Sequence, residues 1–292
     1  MTFLIFAFLM QNRNALIKLN LGLVFLSTSG VLGRYITVDS LLATWLRAIL
    51  ALVLLLMYCR VRHISLRIDI GKDLLSIVLS GLLLGAHWVT YFFALDYSNV
   101  AIALLSLYTY AGLTTILEPL ILKTKFNMSD LLLSMIVILG VAVMAPSWDL
   151  ESNYTIAIIF GLVSALLYAL RNIVISDVAK RYNGSSLMVY QLIVISVAML
   201  FFSGYYNYDY VIDQMPWIVL LALCTTAIGH TVFVESLSKL NATTAGLLSC
   251  IVPVYGIFWG FIFLGEVPAL RTIMGGGIIL LAVVLKTIRL SK

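Results

Sequence analysis

Arg47, Arg171, His87, His230 and Glu118 each fall inside a long apolar stretch of this chain, where an ionisable side chain is out of place. At the centre of a bilayer helix such a residue costs about 2.5–3.5 kcal/mol on insertion scales, so each calls for a partner, a wet cavity or a function. Arg47 lies about seven residues, or roughly 10 Å of helical rise, below one end of its stretch. Its planar fork of donors suits a substrate carboxylate; snorkelling to the interface is the structural alternative. Arg171 can serve the same substrate, pair with Asp177 or reach headgroups. His87 and His230 sit at similar depths, about 14 residues into their stretches, and are candidates for gating or proton coupling. Neutral histidines hydrogen-bonded between helices are the alternative.

Ser106, Tyr110, Thr114 and Glu118 recur every four residues and so form one polar stripe on a helix. Such a stripe is expected to face a cavity, with a polar helix interface as the alternative. For Glu118 an ion pair with Lys123 or Lys125 is expected ahead of proton coupling. Trp88, Tyr91, Tyr108, Tyr110, Tyr168 and Phe233 are candidate cavity walls, being within about a turn of a buried polar residue or on the stripe. Pro119 and Pro253 lack an amide hydrogen and free the carbonyls of Thr115 and Ser249, which makes both candidate hinges.

The elements that must position these residues follow from composition. With 62% hydrophobic and 11% charged residues, the chain carries too much apolar surface for a water-soluble core. About 20 helical residues span the hydrocarbon, and only a helix satisfies its own backbone there. Hydropathy predicts ten spans: 19–37, 41–59, 73–95, 99–122, 129–146, 156–178, 186–205, 216–237, 242–264 and 270–288. The longest gap, 60–72, leaves no room for a soluble catalytic domain. Cys59, Cys224 and Cys250 all fall inside spans, which argues against a disulfide or zinc framework, and no metal site is expected. Residues 1–10 are apolar but lack a basic start and a cleavage site, so a secretory signal is not expected; Met10 is an alternative start.

With the N-terminus placed in the cytoplasm, 14 of the 18 Lys and Arg residues fall on the inner side, while Asp39, Asp96, Asp149, Glu151, Asp209 and Asp213 fall outside. The positive-inside rule then puts both termini in the cytoplasm, in a cell (inner) membrane. Dispersed at span ends, the basic residues make no nucleic-acid patch. Shifting the chain by 142 residues lays Leu95, Asn99, Ala103, Leu105, Leu122, Ile136, Leu139 and Val141 on identical residues. Each half holds an odd number of spans, so the second enters from the opposite face. The expected fold is therefore all-α and integral to the membrane, with ten transmembrane helices in two inverted five-helix repeats, 16–146 and 156–288. Such repeats place a substrate site near the midplane.

The run from Asn241-Ala-Thr-Thr-Ala-Gly through Pro253 to Phe263-Leu-Gly-Glu266, followed by Gly275-Gly-Gly277, resembles the EamA-type transporters of the drug/metabolite transporter superfamily. Trp45-Leu-Arg47-Ala48 and Tyr190-Gln191 support the likeness. The first half departs from it, with Ala111 where the second has Pro253, and Lys123-Thr-Lys125 where it has Gly265-Glu-Val267. The resemblance implies a ten-helix bundle with a central cavity, no ATPase domain and no cofactor, carrying small organic metabolites, often outward. No Walker, His-x-x-x-His or Gly-x-Ser-x-Gly motif points to an enzyme. The expected function is alternating-access transport, as an exporter, of a small polar metabolite such as an amino acid, with Arg47 and the aromatics binding it. Larger organic anions or drugs, and a non-transporting scaffold or enzyme subunit, are the alternatives. Expected partners are the substrate, the bilayer, protons as a coupling ion and a second copy of the chain.

Overall fold

The computed structural model describes residues 16–144 and 152–290. Readings of residues 1–10, Asp149 and Glu151 lie outside them. The described residues form ten helical elements and no strand: α1 Leu16–Tyr35, α2 Ser40–Val61, α3 Ile70–Asp96, α4 Val100–Leu122, α5 Met128–Met144, α6 Asn153–Ala179, α7 Gly184–Leu200, α8 Val211–Ser236, α9 Ala242–Leu264 and α10 Leu270–Leu290. Among the described residues seven helices are long and apolar enough to cross a membrane. The apolar parts of α5, α7 and α10 are shorter. Two boundaries depart from the hydropathy reading. α7 stops at Leu200 and gives way to a 3-10 turn at Ser203–Tyr205, and α8 begins five residues early, at Val211.

Local chemistry explains the ends. Asp39, Asp69, Asn99 and Asn241 accept a hydrogen bond from the backbone N–H three residues on, satisfying amides that have no intrahelical partner. α4 ends at Lys123 with φ +53° and α9 ends at Gly265 with φ +66°, left-handed stops 142 positions apart. Both helices also break at equivalent places. α4 is interrupted at Tyr108–Thr109 and α9 at Cys250–Ile251, where tighter i→i+3 bonds replace helical ones. The break in α9 adjoins Pro253, as that proline predicts, and the break in α4 does not adjoin Pro119. Pro119 lies inside a continuous helical segment, Tyr110–Leu122, about ten residues beyond the break. Pro253 sits in the first turn after its break, where a missing amide hydrogen costs nothing.

α3 packs against α6 and α7, α5 runs along α10, and α2 reaches α8. α4 and α9 lie antiparallel, because the first segment of each contacts the second segment of the other. Their approach is close. A Cβ on Gly256 would come 2.1 Å from Leu104 Cδ1, and one on Gly161 of α6 would come 2.4 Å from Ser106 Cβ. Within α8, Leu221–His230 is wound as a π-helix, which rotates Thr225, Thr226 and His230 relative to an α-helical register.

Candidate functional site

Arg47 projects from the middle of α2 and is 1% exposed. Its Nε donates to Thr226 Oγ1 at 2.6 Å and its Nη2 to Thr225 Oγ1 at 2.8 Å. The guanidinium carbon stands 4.0 Å from the centroid of the Trp88 ring, a cation–π geometry. Among the described residues no carboxylate lies within ion-pair distance of this group. Dipoles and an aromatic face thus hold a buried cation that no anion neutralises. Snorkelling is excluded, since the side chain is enclosed.

Around Arg47 the helices deliver two histidines. Trp88 Nε1 donates to His230 Nε2 at 3.1 Å, and because indole nitrogen only donates, that histidine nitrogen is unprotonated here. His230 therefore carries its proton on Nδ1, which faces the Tyr168 hydroxyl at 3.5 Å. Ser164 Oγ donates to the His87 carbonyl at 2.9 Å, so it accepts from His87 Nδ1 at 2.7 Å. Tyr168 stacks on His87 with centroids 4.4 Å apart, and the two imidazoles are 6.4 Å apart, edge to face.

Trp88 and His230, which touch, are 142 positions apart, and so are Tyr108 and Cys250, whose thiol faces the Tyr108 carbonyl at 3.9 Å. Such pairs are what a pseudo-twofold axis between two repeats would bring together, and a small cavity lies beside them. It measures about 20 Å³ and is lined by Arg47, His87, Trp88, Tyr91, Tyr108, Tyr168 and His230, with Leu26, Ser29, Leu104 and Leu107. That is room for about one water molecule.

The other sequence candidates lie further out. Phe233 packs on Tyr168 at 5.8 Å, and the Arg171 guanidinium carbon lies 5.9 Å from the same ring, both behind the cavity wall. Arg171 is fully buried. It donates to Gln191 Oε1 at 2.5 Å, Asn172 Oδ1 at 3.0 Å and Met188 Sδ at 3.3 Å, while its Nε has no partner. Neither Asp177 nor a headgroup is its counterpart, for Asp177 pairs with Lys180 at 2.7 Å.

The α4 stripe faces helices rather than the cavity. Tyr110 hydroxyl bonds Ser249 Oγ on α9, while Ser106 and Thr114 bond back to their own helix. Glu118 makes no ion pair with Lys123 or Lys125. Its two oxygens accept the N–H groups of Ala242 and Thr243 at 3.0 and 2.9 Å, the first turn of α9. A carboxylate there meets the positive end of the helix dipole. Thr225, Thr226 and Ser164, which bond Arg47 and His87, are neighbours that residue-type reasoning missed, while Gln191, named there only for the likeness, is the partner of Arg171. At the connection between α6 and α7, hydrogen bonding to Asp73 holds the Arg181 guanidinium above its ordinary pKa.

The chain matches the EamA-like transporter family twice, at residues 14–145 and 155–288. An uncharacterized transporter of Archaeoglobus fulgidus is 26% identical over 91% of this chain and 93% of its own length. The pseudopaline exporter CntI of Pseudomonas aeruginosa is 24% identical over 78% of this chain and 80% of its own. A solved crystal structure superposes with a TM-score of 0.74 over 96% of this chain and 99% of that one at 14% identity, which shows a shared fold. With two family matches covering nearly all of its length, the chain belongs to the EamA-like transporter family and is a multi-pass membrane transporter of small molecules.

Proposed function

We propose that this protein is a secondary transporter of a small carboxylate-bearing metabolite, such as an amino acid or a related compound, working by alternating access at the axial cavity. The observation that carries this reading is Arg47, a buried guanidinium on the cavity wall held only by hydroxyls and an indole face. A carboxylate is the group that its remaining charge would favour. The aromatic lining supplies apolar contact for the rest of the ligand. A cavity of about 20 Å³ is too small for any such metabolite, so the helices must part before one binds.

The two halves act as inverted five-helix repeats, with residues 16–146 and 156–288 rocking about the axis. Support comes from the antiparallel α4 and α9, and from caps, breaks and left-handed ends that recur 142 positions apart. The distribution of basic residues supports cytoplasmic termini, and export is the direction named for the Pseudomonas relative. His87 and His230 are the proton-coupling candidates, since a proton on His230 Nε2 would break its bond from Trp88.

A thermal-shift panel on the purified protein tests the ligand class, because ligands of the folded state raise apparent stability. Amino acids and related carboxylates should raise the midpoint, whereas their amides or esters should not. Truncating one side of a buried charge pair costs about 2–5 kcal/mol. Arg47→Ala should therefore lose the response through an affinity drop of about 30-fold or more. An undiminished response in Arg47→Ala would remove Arg47 from the site.

A further inference from the structure

Two carboxylates tie the ends of α4 and α9 together in a reciprocal pattern. At one end Glu118, late in α4, accepts the N–H groups of Ala242 and Thr243 that begin α9. At the other end Glu266, just past the end of α9, accepts the N–H of Val100 that begins α4, at 3.0 Å. Val100 and Ala242 are equivalent positions under the 142-residue shift. The two glutamates are not, for the equivalent of Glu118 is Gly260. A Cβ built on Gly260 would meet Glu266 Oε2 at 3.6 Å. Each half thus brings a carboxylate to the same place from a different sequence position.

Each tie also borders a pocket. Glu118 lines one of about 420 Å³ together with Thr115, Lys125, Asn241 and Thr243. Glu266 lines one of about 250 Å³ together with Asn99, Ala101, Ile257 and Val267. Thr115 and Ile257, Lys125 and Val267, Asn241 and Asn99, and Thr243 and Ala101 are equivalent pairs, so these are one vestibule occurring at both ends of the molecule. Between them lies the axial cavity, with Tyr108 about 12 Å of helical rise from Val100 and about 15 Å from Glu118.

We propose that Glu118 and Glu266 are the two gate latches of the transporter, each closing the vestibule at its own end, so that alternating access proceeds by releasing one while the other holds. This rests on the transport reading above. A carboxylate on a helix N-terminus is a bond that can be made and broken repeatedly, unlike the interlocked glycine contacts along α4 and α9. The Glu266 latch is braced by Arg34, whose Nε lies 3.7 Å from Glu266 Oε1. Among the described residues no cation braces Glu118 in this way; it accepts two backbone N–H groups where Glu266 accepts one.

Single cysteines at the buried equivalents Thr243 and Ala101 report on the two ends. They are introduced as Thr243→Cys or Ala101→Cys with Cys59→Ala, Cys224→Ala and Cys250→Ala, and the full-length protein in detergent is labelled with a polar maleimide. Glu118→Gln is expected to raise the labelling rate of Thr243→Cys at least threefold and leave Ala101→Cys unchanged. Glu266→Gln is expected to do the reverse, and the corresponding alanine variants to go further in the same sense. Unchanged rates, or both reporters rising together in either variant, would overturn the latches and leave two structural caps. Wild-type protein that shows no counterflow would instead overturn the transport reading, and the labelling pattern distinguishes the two failures.

Discussion

At the residue scale, Arg47 and Trp88 act as a pair. Trp88 offers its face to the guanidinium and its N–H to His230, so one side chain links the buried cation on α2 to the histidine on α8. Trp88→Phe keeps an aromatic face and removes one hydrogen bond, which contributes about 0.5–1.5 kcal/mol. Trp88→Ala removes the ring as well and leaves a cavity, for about 3–5 kcal/mol. Thermal unfolding in detergent should show a small midpoint loss for the first and a several-fold larger one for the second; equal losses would mean the ring contact is immaterial. Arg47 itself was legible in the sequence, because a lone charge inside an apolar run has few explanations. Its partners were not. Thr225 and Thr226 are ordinary span residues in composition, and they lie in the π-helical part of α8, a winding that apolar periodicity does not announce. The target of Glu118 was equally hidden, since a backbone amide has no side-chain signature, and the nearby lysines drew the reading toward an ion pair.

At the element scale, the ten apolar stretches mapped well onto ten helices, and of the two prolines Pro253 adjoins the break in its helix while Pro119 does not. Hydropathy reports burial in lipid, which is why it located the helices. A bend depends on where neighbouring helices cross, and here it comes at Tyr108–Thr109 and Cys250–Ile251, beside the residues that meet across the two halves. The departure between the repeats at Lys123 and Gly265 has a measurable cost. A non-glycine residue in the left-handed region loses about 1 kcal/mol relative to glycine, and Lys123 holds φ +53° there. Lys123→Gly should raise the thermal midpoint and Gly265→Ala should lower it. A fall on Lys123→Gly would show that the lysine side chain contributes more than its backbone costs.

At the scale of the whole molecule, the two family-matched halves share several structural features and carry unequal chemistry. The frame recurs: asparagine caps, helix breaks, left-handed ends and vestibules all reappear after 142 positions. The charges do not, so that Arg47 on α2 faces two threonines while α7 contributes Gln191, which holds Arg171 through 2.5 Å. A symmetric frame suits a site that must be reached from either side, and an asymmetric lining suits a ligand with a charged end. The central claim is that this cavity carries a carboxylate across the membrane without any added partner. Counterflow in proteoliposomes loaded with unlabelled amino acid measures that directly. Wild-type protein is expected to give saturable uptake of the labelled compound, accelerated by substrate inside and abolished in Arg47→Ala. Uptake that neither saturates nor responds to internal substrate, or full counterflow in Arg47→Ala, would contradict it.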